Sequence, residues 1–463
     1  MKKRPPLAIA FLFILGLCLS AQALLASSGE ISVIDYPSIQ EAIDTNPGRM
    51  VHIPTGDYEI TKPIVLNATG SGLYGFGRII QTNPEAHILV ISRADDVRVC
   101  DLTLTRPEEN PGKRSALVAG HCRNLTLRGL QVIDTRAPAG AINIEECDNT
   151  QVLDCVVRNY ATVSIEDRTG NENYGYAYKS IDGTGIQVSG TGILIQGNRV
   201  IQTELFPTPE TQKRFQLGEF VNKNEKRGSL INEKTWEEGY TKNWNQGSSI
   251  HVGDPETSSH VQIVGNYIEN GAQGVDIHGD EVTLANNITN GAFLGMKAMH
   301  GSRNTLIVGN QFSKCDINGV LLQPGVASHA AGAPERPDGN PEANVDGGSI
   351  VAKNMVSDFG YGNSNWIWGN ERYPFEFSAG QMPDDPPLSD VIVEGNILYD
   401  PGRDGILVEG KPQVVPPRYL VAVEVSPDNP TGLKGPVNVL FANNLFDPGT
   451  QGVSKPPDLI QKQ

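Results

Sequence analysis

Three short apolar segments of the chain each carry one ionisable side chain at the same place. The segments read Ser249-Ile-His251-Val252, Gly274-Val-Asp276-Ile277 and Gly295-Met-Lys297-Ala298. In an extended strand, the apolar neighbours point one way and the ionisable residue points the other way. A histidine, a carboxylate and an ammonium group in one outward row could move protons and neutralise a developing negative charge.

Further polar residues flank this row. His278 lies two residues after Asp276, and both His300 and Arg303 follow Lys297. The alternative to a site is a solvated face whose charges alternate for solubility. We predict one catalytic set, which consists of His251, Asp276, His278, Lys297, His300 and Arg303.

Candidate substrate-binding residues lie in the same row and in the long segments around it. Gln187 takes the equivalent position one segment earlier, and Asp254 follows the histidine of the row. Aromatic residues in the neighbouring segments could stack on a sugar ring, and we select Tyr178, Trp244 and Trp366. The alternative for each aromatic residue is that it packs a loop against the body of the protein.

A recurring motif places these segments on a regular scaffold. It has an apolar residue, two variable residues, an asparagine, one further residue and an apolar residue, as in Ile263-Val-Gly-Asn266-Tyr-Ile268. Successive copies at Asn266, Asn287 and Asn310 are 21 and 23 residues apart. This period is typical of one turn of a parallel β-helix, in which asparagines accept the left-handed backbone of a sharp corner and stack on one another. A β-sandwich with chance Asn-Gly turns would not keep one motif at a constant period.

The pattern predicts an all-β fold, a right-handed parallel β-helix of about ten or more coils, with an N-terminal capping helix and long loop insertions. We expect a signal peptide over 1–26, one β-helix domain over 27–450 and a C-terminal tail over 451–463. The insertions are expected at about 203–247, 326–347 and 359–388. The alignment continues the outward row through Leu321, Glu376 and Leu407, and the small residue that opens each segment is expected to leave a groove beside it.

The first residues indicate export. Lys2, Lys3 and Arg4 precede an apolar run and then small residues, which is the order of a secretory signal peptide. Its removal would change the formal net charge from −16 to −19, and so acidic a surface argues against nucleic acid and anionic membranes as partners. We expect a secreted or periplasmic monomer whose partner is a polysaccharide. An uncleaved anchor and a lipid-modified Cys18 are the alternatives.

Five of the six cysteines follow the signal segment, and an odd number does not suggest a dense disulfide framework. The alignment places Cys122 and Cys147 at one position of neighbouring coils. There they could form a disulfide or remain a reduced, stacked pair.

Two parts of the chain resemble known families. The opening, Tyr36-Pro-Ser-Ile-Gln-Glu-Ala-Ile-Asp44 with Val51-His-Ile-Pro-Thr-Gly-Asp-Tyr58, looks like that of the pectate-lyase-like superfamily, which implies a helix that caps the first coil. Lys297-Ala-Met-His300-Gly-Ser-Arg-Asn304 resembles part of the chondroitinase B and alginate lyase family. That resemblance implies a catalytic lysine, a strand that ends in Arg-His-Gly and calcium-binding carboxylates.

The chain departs from the second family's pattern. His300 fits the His-Gly pair, but Met299 stands at the arginine position and His278 at the lysine position. The calcium carboxylates are replaced by Gly271 and Gln273, which puts that calcium site in doubt. A divalent metal such as calcium stays open as a cofactor, with candidate ligands on Asp276, His278 and His300.

These residues predict a polysaccharide lyase that cleaves a uronate-containing glycan by β-elimination. His278 or His251 would be the base, while Lys297 and Arg303 would neutralise the carboxylate.

Two other classes of function remain open. A glycoside hydrolase needs two carboxylates, and Asp276 with Asp254 or Asp280 could serve. An epimerase on the same scaffold would belong with the enzymes. A glycan-binding or adhesive protein without catalysis is the third class.

Overall fold

The computed structural model describes residues 29–109, 111–253, 256–332, 343–362, 372–400, 406–413 and 416–460. The predicted signal peptide over 1–26 lies outside these ranges. No helix within them is long and apolar enough to span a membrane.

Three long parallel sheets, named sheets 1, 2 and 3, form the body of the protein. Sheet 1 has 13 strands, which are Ile31–Ser32, Met50–His52, Gly72–Tyr74, Arg98–Cys100, Thr126–Arg128, Gln151–Leu153, Leu194–Gln196, Gln262–Val264, Thr283–Ala285, Leu306–Val308, Gly347–Ala352, Ser389–Glu394 and Val437–Ala442. Sheet 2 has 12 strands, which are Ile64–Leu66, Leu89–Ser92, Leu117–Gly120, Ile142–Asp148, Ile186–Thr191, Ser248–Val252, Gln273–Ile277, Leu294–Met299, Asn318–Gln323, Tyr373–Phe377, Val421–Val425 and Gly452–Lys455. Sheet 3 has 12 strands, which are Gly56–Ile60, Gly77–Gln81, Thr103–Thr105, Gln131–Ile133, Val156–Arg158, Arg199–Ile201, Tyr267–Glu269, Ile288–Asn290, Gln311–Ser313, Met355–Ser357, Ile397–Tyr399 and Leu445–Phe446.

Each coil of the chain visits sheet 2, sheet 1 and sheet 3 in that order, and every strand pairs with the strand of the same sheet one coil later. Alternate residues point into the space between the sheets, where Ile250, Val252, Val275 and Ile277 are fully buried. The predicted parallel β-helix of ten or more coils is confirmed.

The recurring asparagines form one ladder at the corner between sheets 1 and 3. The Nδ2 of Asn266 donates to the Oδ1 of Asn287, and that of Asn287 donates to the Oδ1 of Asn310, both at 2.9 Å. Each Oδ1 also accepts the backbone N–H of the preceding asparagine, at 2.9 and 3.0 Å. The predicted stacking of Asn266, Asn287 and Asn310 is confirmed, and the whole ladder is Asn198, Asn266, Asn287, Asn310, Asn354, Asn396 and Asn444.

The left-handed residue of this corner is the one before the ladder asparagine, which corrects the sequence prediction. Gly265 has a φ of 65°, Asn286 of 56° and Gly309 of 68°. This explains why the motif places Gly or Asn before its asparagine. The ladder asparagine itself is selected for its side-chain hydrogen bonds.

A helix closes the N-terminal end, as the resemblance to the pectate-lyase-like superfamily implied. Helix α1 spans Ile39–Thr45, and the Ser38 side chain caps it by accepting the backbone N–H of Glu41 at 3.1 Å. Its buried face carries Ile39, Ala42 and Ile43.

A side lobe is inserted around the coil that precedes His251. It contains a three-stranded antiparallel sheet of Thr162–Asp167, Tyr176–Asp182 and Phe220–Lys223, with helices α2 over Pro209–Phe215 and α3 over Glu233–Glu238. The rings of Tyr176 and Phe220 stack at a centroid distance of 4.1 Å and join two of its strands.

The C-terminal coils differ from the sequence alignment. Ile406–Val408 pairs with Lys411–Gln413 in an antiparallel hairpin, so Leu407 does not extend the row; Val421–Val425 takes that place. Tyr373–Phe377 is a strand of sheet 2 that pairs Glu376 with Leu321, which confirms that part of the alignment and divides the predicted third insertion. The predicted tail over 451–463 contains the last strand of sheet 2, Gly452–Lys455. The asparagine motif does not extend this far, so no periodic pattern predicted that strand.

The small residue that opens each sheet-2 segment does not border a groove, which is a second correction. A Cβ placed on Gly274 would lie 2.2 Å from the carbonyl oxygen of Gly295, and one on Gly295 would lie 2.8 Å from the ring of Phe312. Small residues are required here because the next coil and the core approach too closely for a side chain.

Cys122 and Cys147 lie on neighbouring coils, as the alignment predicts. The backbone N–H of Cys122 donates to the Sγ of Cys147 at 3.3 Å, and both thiols are free. Of the two predicted alternatives, the structure shows the reduced, stacked pair.

Candidate active site

The predicted outward row lies on sheet 2. Gln187, His251, Asp276 and Lys297 are register partners on four successive strands. Neighbouring strands of a sheet are about 4.8 Å apart, so the three ionisable groups lie side by side. The flanking apolar residues fix this register, because a shift by one residue would bury each charge in the core.

Asp276 is the centre of the cluster and is 5% exposed. Its Oδ1 lies 3.0 Å from the Nε2 of His278, and its Oδ2 lies 3.3 Å from the Nζ of Lys297. The Nε2 of His251 is 4.0 Å from Oδ2, and the Ser248 hydroxyl donates to the same oxygen at 3.4 Å. One buried carboxylate thus holds an ammonium group and an imidazole.

Three histidine rings stand edge to face beside Asp276. The His251 and His278 centroids are 4.9 Å apart, and those of His278 and His300 are 4.5 Å apart. The Nε2 of His251 lies 3.4 Å from the Nδ1 of His278. The rings therefore form a continuous line from Asp276 through His278 to its two neighbours.

Burial and charge set the protonation of this cluster. Burial alone would raise the pKa of Asp276, but His278 and Lys297 hold it well below its ordinary value. Burial lowers the pKa of His251 to about 4. Burial, together with the charges of His278 and Lys297, holds the pKa of His300 well below its ordinary value. At neutral pH the site thus contains an anionic Asp276 and neutral imidazoles at His251 and His300.

Two buried atoms of the cluster are close together but not aligned as a hydrogen bond. They are the Oδ1 of Asp276 and the Nε2 of His278, and both lack a partner of good geometry. Because a buried unpaired polar atom is unfavourable, a small rotation of the His278 ring would pair them.

His300 lies at the end of a sheet-2 strand, and the backbone there is hydrogen-bonded to residues that the sequence pattern did not reveal. His300 has a φ of 62°, and the next two backbone N–H groups, of Gly301 and Ser302, donate to the Oδ1 of Asp346 at 3.0 Å. The Ser328 hydroxyl donates to the other oxygen of Asp346 at 2.5 Å. Asp346 lies at the end of an insertion, where no repeat marks a residue as structural.

Arg303 lies beyond the end of that strand, around the corner from the row. Its Nε donates to the Oδ2 of Asp280 at 2.8 Å. The guanidinium thus forms an ion pair with Asp280. Nothing in the structure tests the catalytic role expected of Arg303, which stays a prediction.

The predicted substrate-binding residues fall into different surroundings. Gln187 is half-buried in the row beside His251. Tyr178 is fully buried in the side lobe, where its hydroxyl donates to Glu166 at 2.6 Å, and Trp244 is 4% exposed against the core. Their placement favours loop packing over sugar stacking, and it follows from tertiary contacts that a residue's type does not reveal. Asp254 and Trp366 lie outside the described residues.

The donor atoms of His251, Asp276 and His278 lie within 4.8 Å of one another and could hold a metal ion. Two imidazoles suit a transition metal better than calcium, which prefers oxygen ligands. The ammonium of Lys297, 3.3 Å from Asp276, already supplies a positive charge at this place. A calcium site of the kind implied by the alginate lyase resemblance does not fit these residues.

Comparisons with known proteins identify the fold. No protein-family description and no curated protein sequence matches the chain. The A-module of the mannuronan C-5 epimerase AlgE6 from Azotobacter vinelandii superimposes with a TM-score of 0.51 at 16% identity, over 90% of this chain and 100% of that one. A PL6 alginate lyase in complex with a trisaccharide gives 0.45 at 11% identity, over 94% and 87%. The catalytic unit of a GH87 α-1,3-glucanase from Streptomyces thermodiastaticus gives 0.46 at 13%, over 92% and 70%.

These identities show the fold and not the activity. The chain has the right-handed parallel β-helix fold, which confirms the architecture expected from its resemblance to the pectate-lyase-like superfamily.

Proposed function

We propose that the protein is an exported polysaccharide lyase that cleaves a uronate-containing glycan by β-elimination at the sheet-2 cluster. The observation that carries this proposal is a line of three imidazoles, of which His251 and His300 are neutral, backed by a buried carboxylate and with an ammonium group beside it. β-Elimination needs a base for the proton on C5 of the uronate and a positive charge near its carboxylate.

His251 is the base in this proposal. If His278 donates from Nε2 to Asp276, its Nδ1 accepts the Nε2–H of His251, and the Nδ1 of His251 keeps a free lone pair. Asp276 then stabilises the positive charge that the imidazoles acquire when His251 takes the proton. Gly253 lies against this edge of the ring and leaves it open, since a Cβ there would be 3.3 Å from Nδ1.

Lys297 neutralises the uronate carboxylate. Its Nζ is held by Asp276 at 3.3 Å, and Lys297 lies two strands away from His251 along the row. As the C5–H bond breaks, negative charge spreads onto the carboxylate, and a fixed ammonium stabilises that charge in the transition state.

His300 assists the departure of the leaving group as a hydrogen-bond donor. Its Nδ1 accepts the backbone N–H of Ala327 at 3.4 Å, so the proton of the neutral ring lies on Nε2. That Nε2–H donates a hydrogen bond to the glycosidic oxygen. As the bond from C4 breaks and the C4–C5 double bond forms, the oxygen takes its proton from a water molecule, because a neutral imidazole that lost its own proton would be left as an anion. The proton taken by His251 returns to solvent after product release.

A hydrolase is supported less well by the described residues. Asp276 is engaged by Lys297 and His278, and Asp280 is engaged by Arg303, so neither is placed as a free acid beside a second carboxylate. An epimerase would use the same proton abstraction and is distinguished from a lyase by its product.

The test is incubation with a panel of polysaccharides, with and without uronate. Ultraviolet absorbance of unsaturated uronate together with new reducing ends supports the lyase. Reducing ends alone would show a hydrolase, and uptake of solvent deuterium without cleavage would show an epimerase. Binding without any of these products would show a glycan-binding protein.

A matched pair of variants assigns the base. His251→Ala should lower turnover at least about 100-fold, the usual contribution of a general base. His260→Ala is the control, because this exposed histidine pairs with Glu281 at 2.5 Å outside the row. Equal activity of both variants would place the base elsewhere.

A further inference from the structure

Exposed apolar side chains are concentrated on one part of the surface, away from sheet 2. Fourteen large apolar residues are exposed among the described residues, and ten of them lie on sheets 1 and 3 of the five coils from 283 to 446. Scattered single apolar residues are normal on a protein surface, whereas a contiguous set marks an interaction site.

These residues form two rows that run along the helix axis. On sheet 1, Leu306, Ile350, Ile392 and Leu440 are register partners on successive strands and are 37%, 40%, 39% and 58% exposed. The neighbouring outward positions are small or apolar at Val308, Ala352 and Ala442, and the one charged residue in that row of register partners is Glu394.

The second row lies on sheet 3, across the asparagine corner. Met355, Ile397 and Leu445 are register partners, and Ile288 continues their row beyond Gln311. The two rows meet along the corner and form one surface, which we call the apolar ridge.

Two charges of opposite sign lie near the middle of the apolar ridge. Lys353 is exposed at the corner, and its Nζ lies over Gly395, next to Glu394 on the following coil. Neither side chain has an ion-pair partner among the residues that the structure describes.

We propose that the apolar ridge binds a second copy of this chain in a two-fold symmetric dimer. In a two-fold interface, a contact between one residue of the first protomer and another residue of the second is repeated with the protomers exchanged. If the axis passes between Lys353 and Glu394, Lys353 of each protomer therefore pairs with Glu394 of the other. The adjacent Ile350 and Ile392 then pack against the partner's Ile392 and Ile350.

The size of the apolar ridge sets the strength of this dimer. Five coils span about 20 Å at about 4.8 Å per step, and the two strands with their corner span a similar width, which gives roughly 400 Å² per protomer. A stable interface buries about 800 Å² per partner, so the dimer should dissociate on dilution. The catalytic cluster lies on sheet 2 and stays open in both protomers, so this inference stands apart from the proposed function.

The test is sedimentation of the full mature protein over a roughly hundredfold range of concentration. We expect monomer at the lowest concentrations and dimer at the highest. Ile392→Glu should keep the protein monomeric throughout, because it buries a charge at the centre of the contact. Phe76→Glu is the control, since Phe76 is 73% exposed on a coil outside the apolar ridge and should not change the association.

A charge-swap cycle tests the orientation. Lys353→Glu and Glu394→Lys should each weaken the dimer at least about tenfold by placing like charges at the axis, and the double variant should restore it. Far-UV circular dichroism and thermal melting verify that every variant is folded. A wild-type protein that stays monomeric at all concentrations overturns the proposal, and so does a dimer that Ile392→Glu and Phe76→Glu affect equally.

Discussion

Gly253 lies against the Nδ1 edge of the His251 ring, and its lack of a side chain has a testable role. A Cβ at this position would approach the Cε1 of His251 to 2.8 Å, so the ring must shift. Gly253→Ala should lower turnover about tenfold, since misplacing a catalytic group by a fraction of an ångström is costly. Measurement of kcat with the melting temperature checks this, and an unchanged kcat would show that the His251 edge is not used.

The ammonium of Lys297 leads to a prediction about metals. Because it already supplies a positive charge 3.3 Å from Asp276, we expect turnover to survive treatment with a chelator. Metal analysis of the purified protein provides the control. Loss of activity that zinc or manganese restores would instead assign the donors of His251, Asp276 and His278 to a metal ion.

The sequence was sufficient to place the row but not its surroundings. His251, Asp276 and Lys297 could be aligned because each lies between two apolar residues in a strand, and that alternation is local. Trp244, Tyr178 and Asp346 could not be assigned in this way, because their burial depends on segments that are distant in the chain. The relay through His278 also depends on ring orientations that sequence spacing does not reveal.

At the scale of structural elements, Asp346 links the end of an insertion to the end of the strand that carries His300, through hydrogen bonds from the backbone. Burial raises the pKa of Asp346 to about 7, above its ordinary value of 3.8. The folded protein therefore binds this proton more tightly than the unfolded chain. Its contribution to stability is present below about pH 4 and is lost as the pH rises toward 7.

Asp346→Asn should remove that pH dependence. Asparagine can still accept the N–H groups of Gly301 and Ser302, but it does not titrate. Between pH 4 and 7 the melting temperature of the wild type should fall relative to that of the variant. Parallel curves for the two proteins would show that Asp346 does not titrate in this range.

The asparagine ladder is the second element with a measurable contribution. Asn287→Ala would leave the buried N–H of Asn266 without its acceptor and remove one donor to Asn310. At about 1–3 kcal/mol for each buried polar group left unpaired, we expect a loss of about 2–4 kcal/mol in the free energy of unfolding, measured with denaturant. Asn286→Gly is the matched control, because this exposed neighbour has a φ of 56° that glycine adopts freely.

The ladder and the small residues show how far repeat patterns determine the elements. The period predicted the coils and the stacked asparagines, since both recur in every turn. It did not identify Gly265 or Asn286 as the left-handed residues, nor the core contacts that require Gly274 and Gly295. Those requirements come from backbone geometry between coils, which a residue count does not contain.

At the scale of the whole molecule, the two proposed functions are separated on different faces. The cluster of His251, Asp276 and Lys297 lies on sheet 2, and the apolar ridge lies on sheets 1 and 3. A solenoid permits this because each coil adds one strand to every face. The residues of one face can then change independently of those on another face of the same chain.

The asparagine ladder also changes along the axis. It begins at Asn198, and the same corner position on the preceding coils is occupied by Leu102, Leu130 and Cys155. From Asn198 onward, buried side-chain bonds at this corner join each coil to the next in addition to the strand pairing. On the earlier coils this corner has core packing instead, and side-chain bonds between coils, such as those from Asn149 to Asn124 and from Asn124 to Asp96, are exposed to solvent. Solenoids lose structure in local units whose boundaries follow such changes in coupling.

The protein should therefore have two zones of different amide hydrogen-exchange rate. Amides on the strands between 98 and 133 are expected to exchange sooner under mild denaturant than those on the coils from 262 to 313. Mass spectrometry of proteolytic fragments measures both zones in one sample, and equal rates would contradict the expectation. If they differ, the coils that carry His251, Asp276 and Lys297 belong to the slow zone, so partial opening of the N-terminal coils would leave these three side chains together.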